Sequence, residues 1–131
     1  MPYRTEIKVR GYHLDFYGHV NNARYLEFLE EGRWRWIEAK ADLGALLQEG
    51  LGFSVVNVNI NYRQAALLGD LLVIESRVKK MGNRSVVVEQ IVRNQATGSV
   101  VADADVTFVV VSIETGKALP IDDDFRRLLA D

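Results

Sequence analysis

The amino-acid sequence predicts an α+β fold in which a five-stranded antiparallel sheet wraps around one long helix. The predicted elements run in the order strand, long helix and then four strands. Short turns join the last three strands, which makes those strands antiparallel neighbours. The long helix has one strongly apolar face, and a single twisted sheet is the surface that can bury it. With 131 residues, the chain holds one such domain, residues 1–131, and is too short for two ordinary domains.

The first strand and the long helix are predicted from hydrophobic spacing. Residues 5–12 alternate loosely between apolar and polar side chains, which is typical of a half-buried strand. Over residues 23–40 apolar side chains recur at helical spacing, and Asn21 or Asn22 is a natural N-cap for this helix. Gly32 lies near the apolar face and costs about 1 kcal/mol relative to Ala. We therefore expect the helix to pack closely against the sheet at this glycine.

The rest of the chain is predicted to be mostly β-structure, delimited by turn residues. Residues 53–63 alternate almost strictly between apolar and polar side chains. This pattern predicts a second strand that has Val56, Val58, Ile60 and Tyr62 on one face. The other predicted elements are a short helix over 41–49, strands over 71–80, 85–93 and 100–112, and a final short helix capped by Asp122. Because the last three strands carry Val on both faces, we expect another subunit to cover the outer face or an edge of the sheet.

Composition and the lack of certain motifs narrow the classes of function. The net charge is −2, which gives no electrostatic argument for nucleic acid as a partner. The sequence has no Cys and two His, so we expect no disulfide, no thiolate nucleophile and no metal site. It has no nucleotide-binding fingerprint, and we expect no cofactor. No apolar run is as long as a membrane span, so we expect no stable membrane insertion, with the cytoplasm as the default compartment.

A candidate catalytic group lies in the loop before the long helix. Asp15 belongs to a polar, Gly-containing segment, and the helix begins shortly after it. A helix N-terminus offers free N–H groups and about half a positive charge. A carboxylate that faces this end can attack a carbonyl, or activate water against it, while the N–H groups hold the carbonyl oxygen. The alternative is that Asp15 only organises its loop, as Asp commonly does in turns.

Motifs along nearly the whole chain carry a family resemblance. They are Asp15-x-x-x-His19-Val20-Asn21-Asn22 with the residues around it (9–15 and 18–30), the strand segment 56–63 and the turn segment 69–72. In these segments the sequence resembles the hotdog-fold acyl-CoA thioesterases of the 4-hydroxybenzoyl-CoA thioesterase family. Within that family it is most similar to the bacterial long-chain acyl-CoA thioesterases called thioesterase III, which are linked to fatty-acid β-oxidation.

The resemblance implies a hotdog fold and a catalytic role for Asp15. It implies that backbone N–H groups at Asn21–Ala23, near Asn22, bind the oxyanion. One of the two Asn residues suffices as the helix cap, which leaves the other for a polar role in the site. The resemblance also implies that Arg84, in a hairpin between two strands, meets the phosphates of coenzyme A. Family members place their active sites at a dimer interface under one continuous sheet and many are tetramers, so a homodimer or homotetramer is expected.

Four of the candidate site residues have alternative roles that the sequence leaves open. His19 either orients Asp15 or the substrate carbonyl, or only bonds to backbone groups of its loop. Tyr25 either contacts substrate or belongs to the helix core. Arg63 either binds substrate or pairs with a neighbouring acid, as Arg on a strand usually does. Arg84 either binds coenzyme A or is part of a charged edge that discourages aggregation.

The sequence-based hypothesis is a homo-oligomeric enzyme of fatty-acid metabolism that hydrolyses medium- to long-chain acyl-CoA to fatty acid and coenzyme A. A cavity between helix and sheet could hold the alkyl chain, with a lining drawn from Leu26, Leu29, Phe53 or Val55. The first alternative is an acyl-thioester hydratase or dehydratase on the same fold, in which Asp15 and His19 act as a pair across the substrate Cα and Cβ. The second is a non-catalytic module that binds acyl-CoA or lipid.

Overall fold

A computed structural model describes residues 2–130, and its elements follow the predicted order. The strands are β1 (Tyr3–Lys8), β2 (Leu51–Tyr62), β3 (Leu71–Met81), β4 (Ser85–Asn94) and β5 (Val100–Ser112), and the helices are α1 (Asn22–Glu38), α2 (Leu43–Gln48) and α3 (Asp123–Ala130). The predicted α+β class with a five-stranded antiparallel sheet is confirmed. The ends of the predicted domain, Met1 and Asp131, lie outside the described residues.

The first strand is shorter than predicted. β1 ends at Lys8, and residues Gly11–His13 form a single 3₁₀ turn where the prediction extended the strand to residue 12. The Arg10 N–H donates to Nδ1 of His13 at 2.8 Å, and the His13 N–H donates to the Arg10 carbonyl at 3.0 Å. Because these local bonds close the chain on itself, the segment cannot continue as an extended strand.

Side-chain caps determine where the three helices begin. Oδ1 of Asn21 accepts a hydrogen bond from the Ala23 N–H, so α1 starts at Asn22. Asp42 caps α2 in the same way, and the predicted cap Asp122 accepts a hydrogen bond from the Phe125 N–H at 2.8 Å. The break between α1 and α2 therefore falls where a new cap is available, and α1 ends two residues earlier than predicted.

The strand order explains how α1 comes to cross the sheet. The order is β1-β3-β4-β5-β2, and all neighbouring pairs are antiparallel. β1 and β2 are therefore the two edges, although only helices and loops separate them in sequence. The connection must run over one face of the sheet, and α1 does so because its apolar side needs cover. This path brings the start of α1 beside the end of β2, where Tyr62 contacts Asn22.

α1 packs against the middle of the sheet at the predicted glycine. A Cβ at Gly32 would lie 2.8 Å from Cγ2 of Ile74, so only Gly allows this approach. Next to it, Nε2 of the fully buried Gln90 donates to the Leu29 carbonyl and to Oγ of Ser76, both at 2.9 Å. Because both N–H donors of the Gln90 amide have acceptors in this buried environment, these hydrogen bonds hold the helix at one position along the sheet.

The predicted near-strict alternation of β2 is wrong at Val56. β2 pairs with β5 through Val55–Phe108 and then Asn57–Thr107, so Val56 is an extra residue in a β-bulge. The bulge changes the alternation, and Val55 rather than Val56 shares the inner face with Val58. A bulge depends on the pairing with the neighbouring strand, which the pattern of one segment does not contain.

The outer face of the sheet carries cross-strand ion pairs. Arg77 pairs with Glu89 at 2.7 Å, and Lys79 pairs with Asp105 at 2.8 Å. The other pairs on the strands are Arg4 and Arg93 with Glu75, and Arg63 with Asp103. These ion pairs make the outer face more polar than its Val residues alone. The exposed edge strand β2 is therefore the stronger candidate for the expected subunit contact.

Candidate active site

The loop before α1 is a tight turn built around Asp15. The Asp15 N–H donates to the His19 carbonyl at 2.8 Å, and the Gly18 N–H donates to the Asp15 carbonyl at 3.1 Å. Gly18 has a φ of 78°, a left-handed conformation that Gly adopts without steric cost. On either side of the turn, Leu14 pairs with Val20. The turn therefore holds the Asp15 backbone in one position relative to α1.

The two carboxylate oxygens of Asp15 have different surroundings. Oδ1 accepts hydrogen bonds from the backbone N–H of Tyr17, at 2.8 Å, and of His19, at 3.2 Å. Among residues 2–130, no donor bonds to Oδ2. Asp15 does organise its loop, as the sequence allowed, but it uses one oxygen for that purpose. The other oxygen is available for chemistry.

The start of α1 leaves one backbone N–H open. The Ala23 N–H donates to Oδ1 of Asn21 at 2.9 Å, and the Asn21 N–H donates to the His13 carbonyl at 2.9 Å. In the described part of the chain, the Asn22 N–H has no acceptor. The sequence predicts the N–H groups of residues 21–23 as oxyanion donors. Of these three, the Asn22 N–H is the group that has no acceptor in the described part of the chain and can bind a ligand.

One cavity brings most of the predicted site residues together. It has a volume of about 310 Å³, and its lining includes Asp15, His19, Asn22, Tyr25 and Arg63. The loop, the start of α1 and the end of β2 each contribute to it. The free carboxylate oxygen and the free N–H thus belong to residues of the same cavity.

Tyr62 also lines this cavity, although the sequence predicted only a strand-face position for it, within the segment 56–63 that carries the family resemblance. Its hydroxyl donates to the Asn22 carbonyl at 3.1 Å, and its ring packs against Tyr25 with 5.5 Å between centroids. The contact fixes the end of β2 against the first residue of α1. A Tyr at the end of a half-buried strand is the only signal in the sequence, since the phenol combines an apolar ring with a polar tip.

Tyr25 and His19 face the cavity in different ways. Tyr25 is 3% exposed, its ring contacts Phe28, and burial raises the pKa of its phenol. It belongs to the helix core and to the cavity wall at once, so both roles left open by the sequence are compatible. His19 is exposed, and only its backbone N–H bonds to the Asp15 carboxylate in the part of the chain that is described.

Arg63 has the acidic partner that the sequence offered as its alternative role. Its Nε donates to Oδ2 of Asp103 at 2.8 Å, and Asn61 donates to the other oxygen of Asp103 at 3.1 Å. The hydrogen bond raises the pKa of Arg63 and lowers the pKa of Asp103. Arg63 thus lines the cavity while its guanidinium is bound to the sheet.

Arg84 does not line the Asp15 cavity. It lies in the turn between β3 and β4, at the end of the sheet opposite to Tyr62. Tyr62 is level with Val92 across β5, so Arg84 is about 26 Å away along β4, at about 3.3 Å per residue. Within one chain, Arg84 and Asp15 cannot contact the same small group.

A second cavity, of about 210 Å³, lies between α1 and β2. Of the residues predicted to line an alkyl pocket, Phe53 and Val55 line it. Leu26 is 44% exposed on the same side of α1, whereas Leu29 is only 1% exposed and belongs to the core. The structure thus separates the predicted pocket residues into those that are accessible and one that is not.

Residues 2–130 contain neither a group of metal-ligating side chains nor a membrane-spanning helix. Within residues 2–130, no group of three or more His, Asp or Glu side chains is placed to hold a metal ion. In the same range, no helix has both the length and the apolar character needed to cross a membrane. What the cavity does provide is a carboxylate oxygen and a helix N–H that have no partner in the described part of the chain, groups of the kind that can act as a nucleophile or base and as an oxyanion donor.

Comparisons with known proteins relate the chain to thioesterases. The model of the thioesterase-like superfamily matches residues 9–129. The chain is 48% identical over 126 residues to the long-chain acyl-CoA thioesterase FadM of Escherichia coli K12, covering 96% of each. It is 31% identical over 107 residues to the acyl-CoA thioesterase YbgC of Haemophilus influenzae, covering 79% of this chain and 75% of that one. The crystal structure of YbaW, a probable thioesterase from Escherichia coli, matches with a TM-score of 0.88, 47% identity and coverage of 97% and 96%. This likeness confirms the predicted hotdog fold.

Proposed function

Since the chain belongs to the thioesterase-like superfamily, we propose that it hydrolyses medium- to long-chain fatty acyl-CoA to a free fatty acid and coenzyme A. The observation that carries this proposal is the cavity that Asp15 and Asn22 share, in which Oδ2 of one and the N–H of the other have no partner among residues 2–130. The substrate class is supported by FadM, a long-chain acyl-CoA thioesterase at 48% identity.

The reaction needs a nucleophile, a polarised carbonyl and a leaving group. The Asn22 N–H donates to the thioester oxygen, where the partial positive charge of the helix N-terminus stabilises the developing oxyanion. Oδ2 of Asp15 then either attacks the carbonyl carbon or removes a proton from an attacking water. In the first route a C–O bond forms, the C–S bond breaks, and water hydrolyses the resulting mixed anhydride. Thiolate is a good leaving group, so neither route needs a strong general acid.

The remaining site residues support this centre. The hydrogen bond from the Ala23 N–H to Oδ1 of Asn21 holds the Asn22 peptide in place. Asn21 and Ala23 therefore contribute to binding by positioning the Asn22 N–H. The proposed role of His19 is to orient the substrate carbonyl, and its support is that the exposed His19 lines the same cavity as Asp15. Tyr25 and Arg63 form the cavity wall against which the acyl ester lies.

We propose that the active unit is a homo-oligomer joined through β2. This strand has 12 residues, lies at the sheet edge, and exposes Val55, Val56 and Val58. Long apolar edges are covered in native proteins because they otherwise template aggregation. A second copy at this edge could bring its Arg84 toward the coenzyme A phosphates. The homotetramer and the cytoplasmic location stay predictions.

The variant Asp15→Asn tests the enzyme assignment. The amide keeps Oδ1 as the acceptor for the Tyr17 and His19 N–H groups, so the loop is preserved, but its nitrogen neither attacks nor accepts a proton. We expect release of coenzyme A thiol from acyl-CoA to fall by about 10²–10⁴-fold. Asp42→Asn is the matched control, because Asp42 also accepts a backbone N–H but caps α2.

Three outcomes separate the candidate functions. Near-normal turnover in Asp15→Asn would overturn the catalytic role of Asp15. Hydration of an enoyl-CoA without thiol release would identify the hydratase class, for which Asp15 and His19 would have to act as a pair. Tight binding of acyl-CoA without turnover in the unmodified protein would identify a binding module.

A further inference from the structure

The side chain of His13 closes the turn that precedes the Asp15 loop. Nδ1 of His13 accepts the Arg10 N–H at 2.8 Å, and the His13 N–H donates to the Arg10 carbonyl at 3.0 Å. A side chain that reaches back three residues to a backbone N–H is one half of a capping box, in which Glu or Gln commonly has this position. In this turn an imidazole has it, and an imidazole can lose the acceptor by taking up a proton.

The backbone of His13 is connected to both groups of the proposed catalytic centre. The His13 carbonyl accepts the Asn21 N–H at 2.9 Å. Asn21 in turn accepts the Ala23 N–H and caps α1, so the Asn22 peptide lies between two hydrogen-bonded groups. Asp15 follows His13 by two residues. The conformation of this turn therefore affects where the carboxylate lies relative to the oxyanion donor.

The His13 ring is packed against its neighbours and holds one protonation state. It is 7% exposed, and its ring meets Phe28 of α1 edge-on, with 4.9 Å between centroids and 88° between planes. Tyr12 lies against it at 4.2 Å between centroids. Because Nδ1 accepts a backbone N–H, the ring is neutral and carries its proton on Nε2. A second proton would occupy Nδ1 and break the hydrogen bond to Arg10.

We propose that His13 is a positioning residue for thioester hydrolysis, whose neutral ring holds the turn that sets Asp15 against the Asn22 N–H, and that protonation of this ring opens the turn and lowers turnover. The inference rests on the proposed thioesterase function. His13 contacts neither substrate nor the reacting atoms in this scheme, and it acts through the turn backbone and the cap of α1.

The groups around His13 favour the neutral ring. Burial has the largest effect and lowers the pKa of His13, followed by the positive charge of Arg24 on α1. Glu27, which pairs with Arg24 at 2.8 Å, acts in the opposite direction, and Arg10 of the turn adds a further lowering. The ring therefore becomes charged only below about pH 6.5, the ordinary pKa of His. Turnover should fall in that acidic range.

Two variants separate the hydrogen bond from the ring. His13→Phe keeps an aromatic ring against Phe28 but has no acceptor. His13→Asn loses the ring, but its Oδ1 is bonded to Cγ as Nδ1 is, and it does not titrate. Asp122→Ala is the matched control, because Asp122 accepts the Phe125 N–H at the same distance of 2.8 Å and the same spacing of three residues, but at the start of α3.

The assay measures kcat and KM for thiol release from one acyl-CoA ester, with every sample brought to one pH before the thiol is read. We expect His13→Phe to lower kcat by about 10–100-fold and to change KM by less than about twofold, because a displaced catalytic group slows the chemical step. His13→Asn should keep kcat within about fivefold of wild type, and Asp122→Ala should keep the wild-type kcat.

The dependence on pH gives a readout that a merely structural role would not change. In wild type, kcat should fall on the acid side at the pH where NMR shows the His13 ring to titrate. In His13→Asn this step should be absent, so that the variant keeps turnover at a pH where wild type has lost it. The comparison includes His19→Asn, because His19 is the second of the two His residues.

The outcomes distinguish this inference from the proposed function. Wild-type kcat in His13→Phe, or an acidic step that is absent from His19→Asn and present in His13→Asn, would overturn the role of His13 and leave the thioesterase intact. No thiol release from wild type at any pH would overturn both. If the His13 variants do not fold, wild type decides, since a kcat midpoint different from the titration of the His13 ring would refute the inference.

Discussion

Replacing Gly32 with Ala tests how closely α1 must lie against the sheet. The glycine is buried on the sheet-facing side of the helix. It lies beside the hydrogen bond that Nε2 of Gln90 donates to the Leu29 carbonyl of the same helix. The same helix presents the Asn22 N–H to the candidate active site. A displacement of α1 should therefore affect both the stability of the fold and the geometry of the site.

Two opposing effects determine the magnitude. Ala in a helix is favoured over Gly by about 1 kcal/mol. However, the new Cβ would lie 2.8 Å from Cγ2 of Ile74 and 3.1 Å from Nε2 of Gln90, and both side chains are fully buried. Overpacking of a core costs about 1–3 kcal/mol, and a displaced Gln90 weakens a bond worth about 0.5–1.5 kcal/mol. We expect the free energy of unfolding to fall by about 0.5–3.5 kcal/mol.

Urea denaturation of wild type and Gly32→Ala, followed by Trp fluorescence, measures this difference. Gly44→Ala is the control, because Gly44 is exposed on α2 and its added Cβ would meet only Oδ1 of Asp42, at 3.3 Å. The control should keep or gain stability through helix propensity. Thiol release should fall in Gly32→Ala alone. Equal gains in stability for both variants would refute the close packing at Gly32.

Two further changes have defined outcomes. Tyr62→Phe removes the hydroxyl that donates to the Asn22 carbonyl, so kcat should fall by about 2–10-fold with KM little changed; equal kcat in this variant and in Tyr12→Phe would contradict a positioning role. The hydrogen bond from Arg93 lowers the pKa of Glu75, so this carboxylate stabilises the fold above the ordinary Glu pKa of about 4.3, and that stability is lost as pH falls through the lowered pKa. Thermal unfolding of Glu75→Gln should therefore show a smaller drop in Tm between about pH 7 and about pH 3 than wild type, and an equal drop would count against the ion pair.

Element positions were predictable because their signals are local. The caps Asn21 and Asp122 bond to N–H groups two or three residues away, and hydrophobic spacing acts within one element. The two errors in predicted strand structure occur where hydrophobic spacing does not determine the backbone conformation. At Gly11–His13 a side-chain bond closes a turn, and at Val56 the bulge exists only in the pairing with β5.

The candidate site was predictable to the extent that it is continuous in sequence. Asp15, His19 and Asn22 belong to one motif, so one segment identified all three as candidates, and the cavity brings them together. Tyr62 was missed because its hydroxyl meets Asn22 only after α1 has crossed the sheet. Arg84 was grouped with the site by resemblance, although the strand order puts it at the opposite end of the sheet.

The sequence by itself determined the order of the elements, the helix caps and the candidate carboxylate, because these depend on residues that are neighbours in the chain. The tertiary structure decided which oxygen of Asp15 and which N–H at the start of α1 stay free. It also decided that Arg33 stands against β2 rather than in solvent. Hydrogen-bond partners and buried contacts come from segments that are distant in sequence. Which groups are paired and which side chains are buried is therefore visible only in the folded structure.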